Sequence, residues 1–469
     1  MSPRVPAVPD RSGDVLRVLV LVLLAWAPIP FGSVSDPFAF PLLAVCAALG
    51  VWSWARGHVR RTLGDDVPPV RGARLILAFI GLVLFQLVPL PPPLLRLISP
   101  ASFSFVADSA LMPVTRWLPV SVSPADTLRG LAFLVAAALL YGSVCREFRE
   151  TRWRRRLALT VTATAVFVTA VALTQAGAGT KALFGLFQPT HPWALFGPYV
   201  NQNHFAGYVV MAIPLAFAFA IESLHTLGRA WTARPRGWLA LGGPEGTALV
   251  QRLAAAFFLV AGLLASRSRG GFVAFAVSAV LLPLAFRRRL IAFGVVLGIA
   301  LLTTGWVGAD AIVDGFLRRG FQGSRLDLWK DMAPLIPRFP VFGVGLNAFA
   351  VAYAPIQRLW RDVWVGQAHS DYLQVLIETG VLGALVASAF LATLLGSAVR
   401  AARRTPLDAG LLAALVSLAC HALVDFNWQI PANALTYIAL AGLVAGRVTP
   451  LTRDARLTPP RRALVDRPG

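Results

Sequence analysis

The sequence predicts an all-α fold, namely a polytopic integral membrane helical bundle of about twelve transmembrane helices with one large outer loop. Of the 469 residues, 57% are hydrophobic and only 14% are charged, and the mean hydropathy is +0.67. Soluble globular proteins carry about 25% charged residues, so this composition excludes a soluble enzyme. Long apolar runs recur along the chain, and each is long enough, or nearly so, to cross a bilayer core of about 30 Å.

These runs predict the individual membrane spans. Each is bounded by charged residues or by proline and glycine, as expected where a helix reaches the headgroup region. In chain order the predicted spans are 15–34, 38–55, 74–90, 126–145, 157–176, 204–223, 252–266, 271–286, 290–307, 376–398, 409–426 and 433–446.

The net charge of +21 predicts topology rather than nucleic-acid binding. The 43 basic residues form no single patch and occur in short clusters between the apolar runs. With the N-terminus inside, 30 of them fall on the inner side and 13 on the outer side, which is the distribution that the positive-inside rule requires. Three outer segments are long, 91–125, 177–203 and 308–370, and they are where we expect chemistry.

The sequence offers no motif for a bound nucleotide or metal. It has no P-loop, no dinucleotide-binding glycine motif, no HExxH and no DxD among the outer acids. Cys46, Cys145 and Cys420 lie in or at the end of apolar runs without CxxC spacing, so we expect them to pack as apolar residues. We therefore expect no metal and no cofactor.

Two arginines lie on the side of the membrane where the positive-inside rule disfavours them. Arg267 and Arg269 join the seventh and eighth spans on the outer side, where arginine is disfavoured. A guanidinium keeps its charge and offers a planar set of donors, which suits bidentate binding of a diphosphate. The alternative is a hairpin held by ordinary contacts to lipid phosphates.

A short amphipathic helix is predicted within the large outer loop. Ser324 and Asp327 have capping-box spacing, and the apolar residues Leu326, Trp329, Ala333 and Ile336 lie on one helical face before Pro337. Such a helix would lie on the membrane, with Arg325 at headgroup depth near a lipid phosphate. The alternative for Arg325 is solvation or pairing with a neighbouring aspartate.

The end of this loop contains a candidate general base. His369 directly precedes a helix, where the helix dipole favours neutral imidazole. A neutral imidazole could deprotonate an acceptor hydroxyl. Asp371, Gln374 and Glu378 form one polar stripe on that helix and could orient His369 or bind sugar hydroxyls. Alternatively, His369 is a loop histidine beside a helix cap.

Two further polar groups lie at the outer ends of spans. Asn203 and His204 begin the sixth span and could cap a helix or bind glycan. His421, Asp425 and Asn427 lie at the outer end of the eleventh span, and His421 and Asp425, at i, i+4 spacing, could satisfy each other within the bundle. We expect structural roles for most of this group.

The chain resembles the bacterial O-antigen ligase and polymerase-like membrane proteins over roughly residues 155–445. The resemblance rests on the order and spacing of several segments, together with Arg325 and Trp329: NQNHFAG (201–207), SRSRGG (266–271), GVG (343–345), AHSDYLQ (368–374) and VDF (424–426). Many members carry two adjacent histidines where this chain has Ala368 and His369.

This resemblance implies a glycosyltransferase of the bacterial inner membrane whose active face is periplasmic. Such enzymes move a glycan from undecaprenyl diphosphate to an acceptor, which is lipid A core for a ligase or another lipid-linked glycan for a polymerase. The family pattern places a catalytic base at His369 and diphosphate-binding arginines at Arg269 and Arg325, with Arg267 as a further partner. Membrane lipids are implied as surroundings, and nucleic acid is not a partner.

The chain is accordingly divided into three regions. Residues 1–154 are N-terminal membrane helices with a periplasmic loop near 91–125, and residues 155–446 form the ligase-like catalytic region with its loop at 308–370. Residues 447–469 are a basic cytoplasmic tail that we expect to be disordered. The sequence leaves open the choice between ligase and polymerase, and the remaining alternative is a secondary transporter with polar sites near the bilayer midplane.

Overall fold

The structure is a computed structural model that describes residues 10–65, 67–108, 115–180, 182–185, 187–188, 195–233, 236–284, 294, 297–298, 325–359 and 363–447. Within these ranges the protein is α-helical, and β pairing is limited to isolated bridges such as Leu90 with Leu118. Apart from residues 294 and 297–298, the ninth predicted span lies outside the described residues, as do residues 308–324 and the tail after residue 447.

The α-helices are numbered here in chain order. Their bounds are α1 (Arg11–Trp26), α2 (Asp36–Thr62), α3 (Ala73–Leu87), α4 (Pro92–Ile98), α5 (Pro100–Ala107), α6 (Pro124–Glu147), α7 (Thr151–Gly177), α8 (Gln202–Ala233), α9 (Pro244–Ala265), α10 (Arg269–Leu284), α11 (Arg325–Met332), α12 (Leu335–Arg338), α13 (Phe349–Tyr353), α14 (Asp371–Ala402), α15 (Pro406–His421) and α16 (Pro431–Ala445).

Six of these helices are long and apolar enough to cross a membrane, namely α2, α6, α7, α8, α9 and α14. The helices α3, α10, α15 and α16 are apolar but shorter. Each corresponds to one of the predicted spans, so the expectation of an all-α multi-pass membrane protein is confirmed. The total of about twelve spans and the periplasmic side of the large loop remain predictions.

Helix α8 forms the centre of the bundle. Its apolar window is fully buried, whereas only 28% of the corresponding windows of α2 and α14 is buried. A helix that is apolar on every side can be buried on every side, and α8 packs against α7, α9, α10 and α15. The helices α2 and α14 instead leave wide apolar faces for lipid.

The outer loop is fixed to α14 where that helix is interrupted. Gly380 has a φ of +62° within α14, and the N–H groups of Val344 and Gly345 donate to the carbonyls of Ile377 and Glu378. A Cβ atom at Gly343 would lie 2.3 Å from the backbone of Glu378, so this close approach requires glycine. The loop is thereby anchored beside the start of α14.

The amphipathic segment of the loop forms two short helices rather than the one predicted helix. Helix α11 ends at Met332, and α12 begins at Leu335 and includes Pro337. The buried face consists of Leu328, Met332 and Leu335, while Leu326 is exposed. Of the predicted apolar face, Trp329 and Ile336 are partly buried against the loop's own core, whereas Leu326 and Ala333 are exposed. The predicted face therefore packs only in part, and its contact with lipid remains a prediction. The predicted cap at Ser324 lies outside the described residues.

Candidate functional site

The polar segments singled out in the sequence meet at one end of the bundle. The Ser268 hydroxyl, just before α10, donates to Asn203 Oδ1 at the start of α8 over 2.8 Å. The N–H of Asp371, the first residue of α14, donates to the carbonyls of Ala422 and Asp425 at 2.9 and 3.1 Å. The starts of α8, α10 and α14 thus surround the turn between α15 and α16.

A histidine, an aspartate and an arginine form the centre of this end. His369 Nδ1 lies 3.9 Å from Asp425 Oδ1, and Arg325 Nη2 lies 3.8 Å from the same oxygen. These are ion-pair distances and too long for hydrogen bonds. Asp425 is fully buried, whereas about a third of each partner's side chain is exposed. One buried carboxylate therefore faces both a candidate base and a cation.

The backbone that leads into His369 is held by two hydrogen bonds. Its φ is +52°, which is uncommon for a residue other than glycine. The preceding residue, Ala368, donates its N–H to Gln374 Oε1 at 3.0 Å, and its carbonyl accepts from Trp329 Nε1 at 2.9 Å. Residues in rare backbone conformations persist where the surroundings enforce them, and they cluster at functional sites.

The environment of His369 keeps its imidazole neutral. Burial lowers the pKa of His369 to about 4, and the Arg325 and His204 side chains also lower it, while Asp425 raises it. The ring packs edge-on against Phe426 with centroids 4.8 Å apart. A neutral imidazole at pH 7 can accept a proton, and Asp425 would stabilise the imidazolium that forms.

The polar stripe on α14 makes contacts within the protein. The Asp371 carboxylate is fully buried and accepts from the N–H of Trp428 at 3.0 Å. Gln374 donates to Glu378 Oε1 at 3.0 Å, and both side chains are buried. Asp371 thus fixes the turn that carries Asp425, and Gln374 fixes the residue before His369. Binding of acceptor hydroxyls by this stripe remains a prediction.

The arginine pair lies beside the same turn. Arg269 begins α10 and is half-buried, and Arg267 is exposed with a φ of +55°. A Cβ atom at the next residue, Gly270, would lie 2.7 Å from His421 Nε2, so α10 starts in close contact with the end of α15. This contact brings both arginines to the end of the bundle that contains Arg325.

A buried asparagine network that the sequence did not reveal supports Asp425. The Nδ2 atom of Asn427 lies 3.0 Å from His421 Nδ1 and 3.3 Å from Asp425 Oδ2. Its Oδ1 accepts from Asn433 Nδ2 at 2.8 Å. The predicted direct pairing of His421 with Asp425 is therefore replaced by a bridge through Asn427. The sequence had placed Asn427 beside His421 and Asp425, and a further signal was an asparagine, Asn433, in the apolar last span.

His204 contributes from the start of α8. It is buried, and its ring packs edge-on against Phe426 with centroids 4.6 Å apart. Phe426 therefore contacts the rings of both His204 and His369. The backbone carbonyl of His204 accepts from Asn433 Nδ2 at 2.8 Å, which joins α8 to the asparagine network. Its described contacts are thus packing and backbone contacts, and glycan binding by Asn203 or His204 remains a prediction.

Two further features define the surroundings. Within the described residues, no group of three His, Cys, Asp or Glu side chains could hold a metal ion. Beside the site lies a mainly apolar cavity of about 420 Å³ whose wall includes Trp428, Val375 and Tyr437. An apolar cavity of this kind suits a hydrocarbon chain better than a sugar.

The family model described as O-antigen ligase matches residues 254–388. No curated protein matches the chain. The matched segment runs from α9 into α14 and includes Arg267, Arg269, Arg325 and His369, while Asp425 lies beyond it. This match supports an O-antigen ligase-like family and confirms the resemblance predicted from the motifs, and the six long apolar helices fit a multi-pass membrane protein.

This family implies a ligase-like or glycosyltransferase-like role in polysaccharide biosynthesis. It also implies sugars or lipid-linked glycans as substrates.

Proposed function

We propose that the protein transfers a glycan from an undecaprenyl-diphosphate-linked donor to an acceptor sugar at the periplasmic face of the bacterial inner membrane. The observation that carries this proposal is the position of Asp425 Oδ1 within 4.0 Å of both His369 and Arg325. Glycosyl transfer from a diphosphate needs a base for the acceptor and positive charge for the leaving group. This arrangement offers both at one point.

His369 acts on the acceptor. Its imidazole takes the proton of the acceptor hydroxyl as the oxygen attacks the anomeric carbon of the donor, and the bond from that carbon to the diphosphate oxygen breaks. The diphosphate leaves with the bonding electron pair. Asp425 stabilises the imidazolium as it forms. One displacement by the acceptor inverts the anomeric configuration.

The arginines act on the donor. Arg325 and Arg269 neutralise the charge that grows on the departing diphosphate, and Arg267 assists from its exposed position. Guanidinium groups suit this task because they bind two phosphate oxygens at once and stay charged. Since two or three arginines can supply the necessary charge, we propose that the reaction is independent of metal ions. The lipid chain of a substrate occupies the apolar cavity beside Trp428.

The acceptor decides between a ligase and a polymerase, and the same site chemistry serves both. A secondary transporter fits less well because the polar side chains described above gather at the starts of helices at one end of the bundle, whereas carrier sites lie near the bilayer midplane.

Deletion of the gene, followed by analysis of surface polysaccharide and lipid-linked intermediates, tests the proposal. A lost ligase leaves lipid-linked polymer, and a lost polymerase leaves single lipid-linked repeat units. Complementation with the wild-type gene should restore the polysaccharide, and His369→Ala at equal membrane abundance should not. An unchanged polysaccharide and unchanged lipid intermediates in the deletion strain would refute the proposed function.

A further inference from the structure

A second cavity, lined by several charged side chains, lies at the opposite end of the bundle. Helix α6 begins beside the outer loop, where the Val122 N–H donates to the Val344 carbonyl, and its other end borders a cavity of about 370 Å³. We call this cavity the basic pocket, and it is lined by Arg17, Gly57, Arg60, Val67, Pro68, Arg146, Glu147, Arg149 and Glu150. It is separate from the His369 site.

The acids around the basic pocket already have arginine partners. Glu147 Oε2 is 3.7 Å from Arg17 Nη2, and Glu150 Oε1 is 4.0 Å from Arg17 Nη1. The Arg17 Nε–H also donates to the Glu147 carbonyl at 2.8 Å. Arg60 Nε is paired with Asp65 at 2.8 Å. These contacts account for two of the four lining arginines.

Arg146 and Arg149 are the other two. Within the described part of the chain, neither forms an ion pair with a carboxylate, and the Nε atom of each is buried without a hydrogen-bond partner. Both side chains are half-buried. Burying charged donors without partners is costly, and an anion in the cavity would remove this cost by accepting from both guanidinium groups.

The surroundings place the basic pocket at the depth of lipid headgroups. Helix α2 carries Trp54, six residues before Arg60, and its side chain is 59% exposed and stacks on His58. An exposed tryptophan near the charged end of an apolar helix is typical of a membrane interface. The positive-inside rule assigns this end to the cytoplasm, where the leaflet is rich in anionic lipids and basic pockets between membrane helices bind their headgroups.

We propose that the basic pocket binds the phosphate of an anionic lipid headgroup from the cytoplasmic leaflet, with the guanidinium groups of Arg146 and Arg149 as its principal ligands. A phosphate oxygen can accept from both guanidinium groups, so one bound lipid links the end of α6 to the segment that follows it. The lipid chains extend along the exposed apolar surface of α2. Free phosphate offers the same chemistry, so the experiment distinguishes the two sources.

Native mass spectrometry of the full-length protein in neutral detergent, with added phosphatidylglycerol or phosphatidylcholine, tests the proposal. Wild-type protein should retain phosphatidylglycerol at least about tenfold more strongly than phosphatidylcholine, because only the former is anionic overall. The double variant Arg146→Gln, Arg149→Gln should lose at least about tenfold of that retention, whereas Arg404→Gln, which removes an exposed arginine from the same end, should not. The single variant Arg149→Gln provides the comparison if the double variant does not purify as a monodisperse protein.

Several results would overturn the proposal. Equal retention of the two lipids by wild-type protein would do so without any variant. Equal retention of phosphatidylglycerol by the wild type and either Arg149→Gln or the double variant would also exclude these ligands. Displacement of the lipid by inorganic phosphate at low millimolar concentration would identify a free-phosphate site instead, while persistence of the lipid supports the headgroup assignment.

Discussion

Replacement of Asp425 by asparagine removes one charge from the proposed site while preserving the shape of the side chain. At a distance of 3.9 Å, two full charges interact by about 4 kcal/mol at an effective dielectric constant near 20. Because about a third of the His369 side chain is exposed, water screens this attraction, and we expect about 2 kcal/mol of it to act in the transition state. The transfer rate of Asp425→Asn should therefore fall about 30-fold.

Single-turnover transfer by purified protein in liposomes measures this effect, and a double-mutant cycle assigns it. If Asp425 acts by stabilising the imidazolium of His369, then Asp425→Asn should cost less than about threefold when His369 is already glutamine. An equal cost in both backgrounds would show that Asp425 acts on something other than His369. Equal membrane abundance and equal elution from a sizing column control for folding.

The pH dependence of transfer provides an independent test of the contact between His369 and Asp425. Because His369 must be neutral to accept a proton, kcat/KM should fall as the pH drops through its pKa, which burial lowers to about 4. Asp425 raises this pKa and Arg325 lowers it. Asp425→Asn should therefore move the acidic limb to lower pH, and Arg325→Ala should move it to higher pH. A limb that stays in place in both variants would contradict His369 as the titrating base.

Three further predictions concern the donor, the packing and the topology. Arg325→Ala should reduce kcat/KM for the lipid-linked donor by about 10²- to 10³-fold. Arg325→Lys should recover only part of this loss, because lysine lacks the planar guanidinium group. Full activity of the alanine variant would show that Arg325 does not bind the donor. Gly207→Ala should impair transfer at least tenfold, because the added Cβ atom would lie 1.8 Å from a buried asparagine of the site network. The matched variant Gly81→Ala, whose Cβ atom would have no atom within 4 Å, should transfer normally. Equal activities of the two variants would contradict this packing. The topology is tested by single cysteines in a cysteine-free background. Trp364→Cys, where the native side chain is 67% exposed, should react with an impermeant thiol reagent from the periplasm, and Thr405→Cys should react only after permeabilisation. The reverse pattern would show that the orientation is opposite to the proposed one.

The sequence predicted the membrane helices well, because a long apolar run bounded by charged residues is stable in a bilayer as a membrane-spanning helix. Shorter polar segments were harder to predict. The helical face around Leu326 was chosen by periodicity alone, yet Leu328 and Met332 are the buried residues, because packing within the loop decides which face is covered.

The position of His369 before a helix predicted a base role, which stays a prediction, whereas its contact with Asp425 could not be predicted. Local spacing predicted that Asp425 would pair with His421, four residues earlier. In the structure Asp425 faces His369 and Arg325, which come from distant parts of the chain. Such contacts depend on how α11, α14 and α15 pack together, and no local pattern in one sequence contains that information. The role of Asn427 as a bridge was hidden for the same reason.

The most direct test of the proposed function is transfer by the purified protein in liposomes, given an undecaprenyl-diphosphate-linked glycan and an acceptor and compared with His369→Gln. We expect the wild type to release undecaprenyl diphosphate in equal amount to the glycosylated acceptor, in the presence of EDTA and with inverted anomeric configuration. His369→Gln should bind the donor but transfer about 10²- to 10⁴-fold more slowly, because an amide cannot take the hydroxyl proton. The proposed function would be contradicted by wild-type transfer rates in His369→Gln, or by the absence of transfer by the wild type with either class of acceptor.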